Sequence, residues 1–269
     1  MAEFSSERIT ERLMRIRCPG NVYAYLALGD SAAALIDTGF GYGSLKEYVQ
    51  ALTDKELIVL LTHGHYDHSG GAGEFEQCFV PEEDIPMALE HSRKECRRQG
   101  LAGYGIIPAD DEMPDALRVD QIAGIREGFE IDLGSYTVHM TAMHGHTPGM
   151  MCPLFMQDRI ILFGDALNSL VFLQLEECSS VEEYRDSLKA FRETYEDLYD
   201  TPVYSHPHNF GGKEILDEMI DLCSDILQPG YQPAGTEAAV LAKETGQNHR
   251  NTDGTAANLL FRRDRIQKK

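Results

Sequence analysis

One short segment limits most strongly what this chain can be. Residues 57–61 (LIVLL) are apolar at every position, and His63, His65, Asp67 and His68 follow directly. An apolar run this short, without polar alternation, predicts a strand buried on both faces, as in a sheet covered by helices. Loops that leave the carboxyl ends of such strands commonly carry the chemistry of α/β folds. A structural role does not explain three histidines and one aspartate in six positions, so the segment predicts a metal site.

Three further apolar segments end in side chains that can bind metal. The loops after them carry His144 and His146, then Asp165, then His206 and His208. Imidazole and carboxylate are the usual ligands of zinc and similar divalent ions, and no cysteine lies in any cluster, which argues against a closed structural zinc site. Three isolated histidines fit none of the clusters and are expected to be ordinary core or surface residues: His91, His139 and His249.

Charge and cysteine usage restrict the partners that we expect. The 269 residues include 24 Lys and Arg against 44 Asp and Glu, a net charge of −20. This acidic excess argues against binding to nucleic acid or to anionic membranes, which requires a positive field. No apolar run approaches a membrane span, and six dispersed cysteines without a C-x-x-C pair indicate reduced thiols. We therefore expect a cytoplasmic protein that acts on a small molecule, with a homodimer as one state to test.

The order of these motifs resembles that of the metallo-β-lactamase superfamily. Its His-x-His-x-Asp-His pattern occurs at residues 63–68, and its Gly-His-Thr-x-Gly segment at residues 145–149. The Gly-Asp that follows a hydrophobic strand is found at residues 164–165, and the early Asp-Thr-Gly at residues 37–39. The resemblance implies one domain over residues 1–269 with an α+β fold. This fold is an αβ/βα sandwich, in which two mixed β-sheets pack face to face with helices outside.

The resemblance also implies a dinuclear metal-dependent hydrolase. It assigns His63, His65 and His146 to one ion, and Asp67, His68 and a C-terminal histidine to the other, with Asp165 as the bridge. Two residues compete for the last position, and we favour His206 over His208 because the family usually has a small residue before this ligand, as Ser205 is here. The expected cofactors are two divalent ions, zinc first, with iron or manganese as alternatives. They would present a bridging hydroxide as the nucleophile, and Asp67 is our candidate for the catalytic acid/base.

The substrate is predicted only as a class. Within the superfamily, residues 62–71 are most similar to the glyoxalase II type of thioester hydrolase, and a lactonase-like branch is the neighbouring choice. We therefore expect attack on an ester, thioester or lactone bond of a small molecule. The alternatives are a phosphodiesterase on the same fold, which the net charge of −20 disfavours, and a mononuclear iron dioxygenase.

The segment from about residue 82 to residue 120 is expected to be an insertion that acts as a lid over the site. Residues 82–99 have a charged helical pattern, and residues 100–114 are loop-like. Loops on a rigid scaffold commonly set specificity, although an ordinary surface helix and loop would give the same pattern. We expect Tyr104 of this segment, together with Asn168 and His208, to contact the substrate.

Overall fold

The computed structural model describes residues 2–232, 245–249 and 257–268, with the backbone path alone for residues 245–249. The chain divides into two compact units, which are described separately below. The first comprises residues 1–140 and 155–158, and the second comprises residues 141–154 and 159–269. The prediction of a single domain with a lid stays a prediction. Among the described residues, no helix is both long enough and apolar enough to cross a membrane.

The first unit is built around a seven-stranded mixed sheet. Its strands are neighbours in chain order: β1 (Ser5–Arg8), β2 (Leu13–Cys18), β3 (Val22–Leu28), β4 (Ala32–Ile36), β5 (Glu56–Leu60), β6 (Cys78–Pro81) and β7 (Ile122–Ile125). Pairing is antiparallel from β1 to β4 and parallel from β4 to β7. All five residues of β4 are buried, as a continuous apolar strand requires. The carboxyl ends of β4 and β5 therefore meet at one edge.

Four helices belong to this unit: α1 (Leu45–Gln50), α2 (Tyr66–Ser69), α3 (Ile85–His91) and α4 (Lys94–Ala102). Ser44 caps α1 by accepting a hydrogen bond from the Glu47 amide. The predicted helical stretch 82–99 contains α3 and most of α4. Arg93 adopts an extended conformation between them, and the Ser92 hydroxyl donates to the Leu89 carbonyl at the end of α3. A short ladder joins β8 (Glu130–Asp132) to the first residues of β9 (Thr137–Ala142).

Strand β9 and strand β10 (Met151–Phe155) both contain a point at which the division between the units falls. In the second unit, β11 (Ile160–Leu162) is followed by β12 (Val171–Leu173), helix α5 (Val181–Tyr195), β13 (Thr201–Val203), helix α6 (Ile215–Ile226), β14 (Thr245–His249) and β15 (Asn258–Arg262). Strands β11 and β13 pair in parallel, and β15 pairs in parallel with β12 and antiparallel with β14. The apolar faces of α5 and α6 are buried, in agreement with their helical periodicity.

Candidate metal centre

Asp37 organises the edge of the first sheet where the histidine motif begins. Because Ile36 of β4 pairs with Leu60 of β5, the residues that follow the two strands lie side by side. The Asp37 amide donates to the Leu60 carbonyl at 2.8 Å, and the Thr62 amide donates to Asp37 Oδ1 at 2.8 Å. The Thr62 hydroxyl lies 3.0 and 2.9 Å from Asp37 Oδ1 and Oδ2. These bonds hold Asp37 at φ +62°, a left-handed conformation that non-glycine residues adopt rarely.

The same network sets the proton position on His63. Since the Thr62 hydroxyl donates to Asp37, its oxygen accepts from Nδ1 of His63 at 3.0 Å. The lone pair of this imidazole is then on Nε2, which lies 3.1 Å from Nδ1 of His65. Two nitrogens bound to one tetrahedral zinc ion are about 3.4 Å apart. His63 and His65 are both buried, and their spacing fits two ligands of one ion.

His68 is oriented by Asp37 directly. Its Nδ1 lies 2.8 Å from Asp37 Oδ2, and both side chains are fully buried. The carboxylate accepts this proton, so the lone pair is on Nε2, which lies 3.7 Å from Asp67 Oδ2. The amide and hydroxyl of Thr38 both donate to the His68 carbonyl. A carboxylate that holds the far nitrogen of a histidine is a common support of metal ligands, because it fixes both the tautomer and the ring orientation.

In the second unit, strand register brings Asp165 and His206 together. Leu162 of β11 pairs with Val203 of β13 in a parallel ladder, and each of the two donors follows three residues later. His206 Nε2 lies 3.4 Å from Asp165 Oδ1, and His206 is buried.

His146 lies in the loop between β9 and β10 of the same unit. Its Nδ1 donates to the Phe172 carbonyl at 2.8 Å, and its Nε2 lies 3.7 Å from Asp165 Oδ2. The Cys178 thiol donates to the His146 carbonyl at 3.1 Å. Burial raises the pKa of Cys178 to about 12, so the thiol keeps its proton and supports the loop as a donor. In the second unit, His146 and His206 thus both lie near Asp165, and these three side chains could contribute to a metal site.

Of the competing histidines, His206 is buried beside Asp165, whereas His208 is exposed and stacks on the His206 ring at 5.5 Å. Desolvation and the neighbouring His206 lower the pKa of His208 below its ordinary value, against the opposing effect of Asp165. His144 is exposed and His146 is buried. The geometry thus agrees with the preference for His206 and His146, and the final choice stays a prediction.

The predicted substrate residues differ in exposure. Tyr104 follows α4 with 45% of its surface exposed, and its ring meets Phe40 edge-on at 5.8 Å. Phe40 in turn stacks on Tyr66, inside the histidine motif, at 5.5 Å. Asn168 is buried, donates to the Gly164 carbonyl and accepts from the Leu170 amide, so it shapes the turn that carries Asp165. Substrate contact by Tyr104, Asn168 and His208 stays a prediction.

One residue near the site was not singled out by its sequence. His91, expected to be an ordinary histidine, ends α3 with its ring stacked on His65 at 5.5 Å and 20°. It lies far from the motif along the chain, and no spacing rule connects the two.

Residues 17–207 match the family model of the metallo-β-lactamase superfamily. The chain belongs to this superfamily. Human acyl-coenzyme A thioesterase MBLAC2 is 26% identical over 219 residues, which cover 71% of this chain and 75% of that protein. Hydroxyacylglutathione hydrolase GloC of Haemophilus influenzae is 28% identical over 143 residues, which cover 50% of this chain and 61% of the relative.

Solved structures agree on the fold. A metallo-β-lactamase from Pontibacter korlensis superposes with a TM-score of 0.58 at 15% identity, covering 82% of this chain and 98% of that one. The sec-alkylsulfatase Pisa1 from Pseudomonas superposes with a TM-score of 0.59 at 16% identity, covering 84% of this chain and 41% of that one. The predicted metallo-β-lactamase fold, an α+β fold of mixed sheets and helices, is confirmed. The prediction that the chain is a hydrolase of this superfamily is also confirmed.

Proposed function

We propose that this hydrolase cleaves the thioester bond of a small acyl compound by means of two divalent metal ions, zinc first. The thioester is favoured over esters and lactones because the relative that covers 71% of the chain is named an acyl-coenzyme A thioesterase. A hydroxyacylglutathione hydrolase is a second relative.

The ligand sets are those that the motifs predict. One ion would be held by His63, His65 and His146, and the other by Asp67, His68, Asp165 and His206. Both sets consist of the donors that zinc prefers, and all seven residues lie within the matched segment 17–207.

The arrangement of Asp165 is the observation that carries the dinuclear assignment. Its Oδ2 faces Nε2 of His146 at 3.7 Å, and its Oδ1 faces Nε2 of His206 at 3.4 Å. These two histidines belong to different ligand sets. A carboxylate with one oxygen directed toward each set is suited to bridge two cations.

When bound, the ions supply Lewis acidity, which lowers the pKa of water and stabilises negative charge on the substrate carbonyl oxygen. The protein contributes orientation and proton transfer. Asp37 and Thr62 hold the tautomers of His63 and His68. Asp67, whose Oδ2 lies 3.7 Å from His68 Nε2, accepts the proton of the attacking water as this oxygen adds to the acyl carbon. The carbon–sulfur bond then breaks, and the sulfur leaves as a thiolate.

Two exposed phenyl rings in the second unit support an apolar acyl group. Phe172, whose carbonyl holds His146, has 41% of its surface exposed, and Phe210 has 59% exposed. The Phe210 amide donates to the hydroxyl of Ser169, three residues before Phe172. Exposed aromatic side chains beside a polar site are suited to bind the apolar part of a ligand.

The decisive experiment measures metal content and bond preference together. Protein purified without added metal is analysed for zinc, iron and manganese, then assayed on acyl-coenzyme A thioesters, lactones, aryl esters and phosphodiesters. We expect about two zinc ions per chain and a thioesterase activity that a chelator abolishes and zinc restores. His63→Ala serves as the inactive control. A greater activity on lactones or phosphodiesters would refute the substrate class, and one iron per chain with oxygen consumption would refute hydrolysis.

A further inference from the structure

Helix α3 packs directly against the backbone of the histidine motif. The Gly64 amide donates to Oδ2 of the buried Asp84, which immediately precedes the helix, at 2.9 Å. A Cβ atom on Gly64 would lie 2.9 Å from the Asp84 carbonyl oxygen, the Ala88 amide nitrogen and the Met87 Cβ. No side chain fits between the helix and the loop. The backbone between His63 and His65 is therefore held against α3.

The last residue of α3 contacts the ring of a candidate ligand. The rings of His91 and His65 are 20° from parallel with centroids 5.5 Å apart, and His91 also packs on Tyr66 at 5.5 Å and 34°. On another side of His65, the ring of His63 stands nearly perpendicular at 83° and 4.8 Å. The His65 ring is thus bounded by the plane of one imidazole and the edge of another.

We propose that His91 is a positioning residue of the metal centre, which holds the His65 ring so that its nitrogen faces the ion shared with His63. This inference rests on the proposed function, in which His65 binds metal. The χ2 torsion of a histidine is broad, so a ring without lateral support samples orientations in which neither nitrogen faces the ion. Offset stacking restricts that rotation before metal binds, which lowers the entropy lost on binding.

The proposal divides the predicted lid segment into two parts with different roles. Residues 84–91 belong to the metal centre, because they contact the backbone of Gly64 and the ring of His65. Residues beyond α4 carry exposed side chains, with Tyr104 at 45% and Ile107 at 90%. Tyr104 and Ile107 have the exposure that a substrate-contacting loop requires.

The test compares His91→Ala with His91→Phe, which retains a planar ring, and uses His139→Ala as the matched control. His139 is another partly buried histidine of the first unit, and it pairs with Glu130. Zinc affinity is measured on metal-free protein by competition with a chromophoric chelator, and the visible spectrum of the cobalt(II) form reports ligand geometry. We expect His91→Ala to weaken zinc binding by about twofold to tenfold and to shift the cobalt bands. His91→Phe should remain within about twofold of wild type, and His139→Ala should match wild type.

Each outcome decides the proposal. A folded His91→Ala protein with wild-type zinc affinity and cobalt spectrum would overturn it. Equal losses in His91→Ala and His91→Phe would also overturn it, since a ring nitrogen instead of the ring face would then be responsible. If His91→Ala fails to fold, the affinity and spectrum of His91→Phe decide. Wild-type protein that binds no zinc would overturn the proposed function as well, and this result appears before any variant is made.

Discussion

The candidate ligands of the two units are supported in different ways. In the first unit, four donors come from six consecutive residues, and side chains orient them: Asp37 bonds His68 directly and reaches His63 through Thr62. In the second unit, three donors come from three separate loops. There the main chain supplies most of the support, because His146 donates to a backbone carbonyl and a strand ladder aligns Asp165 with His206.

This difference predicts which substitutions disturb the candidate ligands of each unit most. A side-chain network concentrates its support in a few replaceable atoms, so one substitution at Asp37 disturbs two histidines. Backbone carbonyls and ladder register survive most substitutions of the residues that provide them. In the second unit, the candidate ligands themselves are therefore the sensitive positions.

The largest effect is expected at His206. His206→Ala should remove one of the two proposed ions and reduce kcat/KM by on the order of a hundredfold or more, since it deletes a candidate ligand. His208→Ala is the matched control and should retain the metal content of wild type, because the His208 ring is exposed and stacks on the outside of His206. Metal analysis of both variants checks this. Full metal content in His206→Ala, with loss in His208→Ala, would reverse the assignment.

The second largest effect is expected at Asp37. Asp37→Ala removes the acceptor of His68 and the anchor of Thr62, so we expect zinc affinity to fall by about a hundredfold. Thr62→Val keeps the shape of the side chain and leaves the direct bond from Asp37 to His68 in place, so about tenfold is expected. Competition titration with zinc measures both. Equal losses in the two variants would show that Asp37 does not serve two histidines, and the contrast between the units would weaken.

The same contrast explains what the sequence could reveal. The motif at residues 63–68 can be recognised in the sequence because four donors lie within six residues after one strand, and Asp165 can be recognised because it follows an apolar strand. The bond from Asp37 to His68 depends on the pairing of β4 with β5, which composition does not specify. The stacking of His91 on His65 depends on the path of α3 after the motif and on the break at Arg93, so no local pattern could predict it.

Substitutions at two glycines test how closely the loops that carry the candidate ligands are packed. A Cβ at Gly64 would lie 2.9 Å from the Ala88 amide nitrogen of α3. One at Gly145 would lie 2.3 Å from the buried Tyr184 ring. We expect Gly64→Ala and Gly145→Ala each to lower the free energy of unfolding by about 1–3 kcal/mol, measured by urea denaturation. Gly103→Ala is the control, since its nearest atom is 3.3 Å away. A cost at Gly64 no larger than that at Gly103 would contradict the close packing of α3 on the motif.

The smallest effect is expected at Glu74. It shows whether support by side-chain acceptors in the first unit extends beyond the candidate ligands. Glu74 accepts hydrogen bonds from the Ser44 hydroxyl at 2.6 Å and the Leu45 amide at 3.2 Å. Burial raises the pKa of Glu74 above its ordinary value of 4.5, against the opposing effect of these bonds. The folded state then binds the proton more tightly than the unfolded state does. The contribution of this group is therefore fully present below pH 4.5 and is lost as the pH rises through the folded pKa.

Glu74→Gln removes that titration, so the unfolding free energy of wild type minus that of the variant should decline as the pH rises from about 4 toward neutrality. Urea denaturation across this range measures the difference, with Glu47→Gln, an exposed carboxylate of α1, as the background. A difference that grows with pH would mean that hydrogen bonding outweighs burial at Glu74. In that case, the carboxylate would strengthen the first unit at neutral pH, and reliance on side-chain acceptors would extend to the turn after the motif.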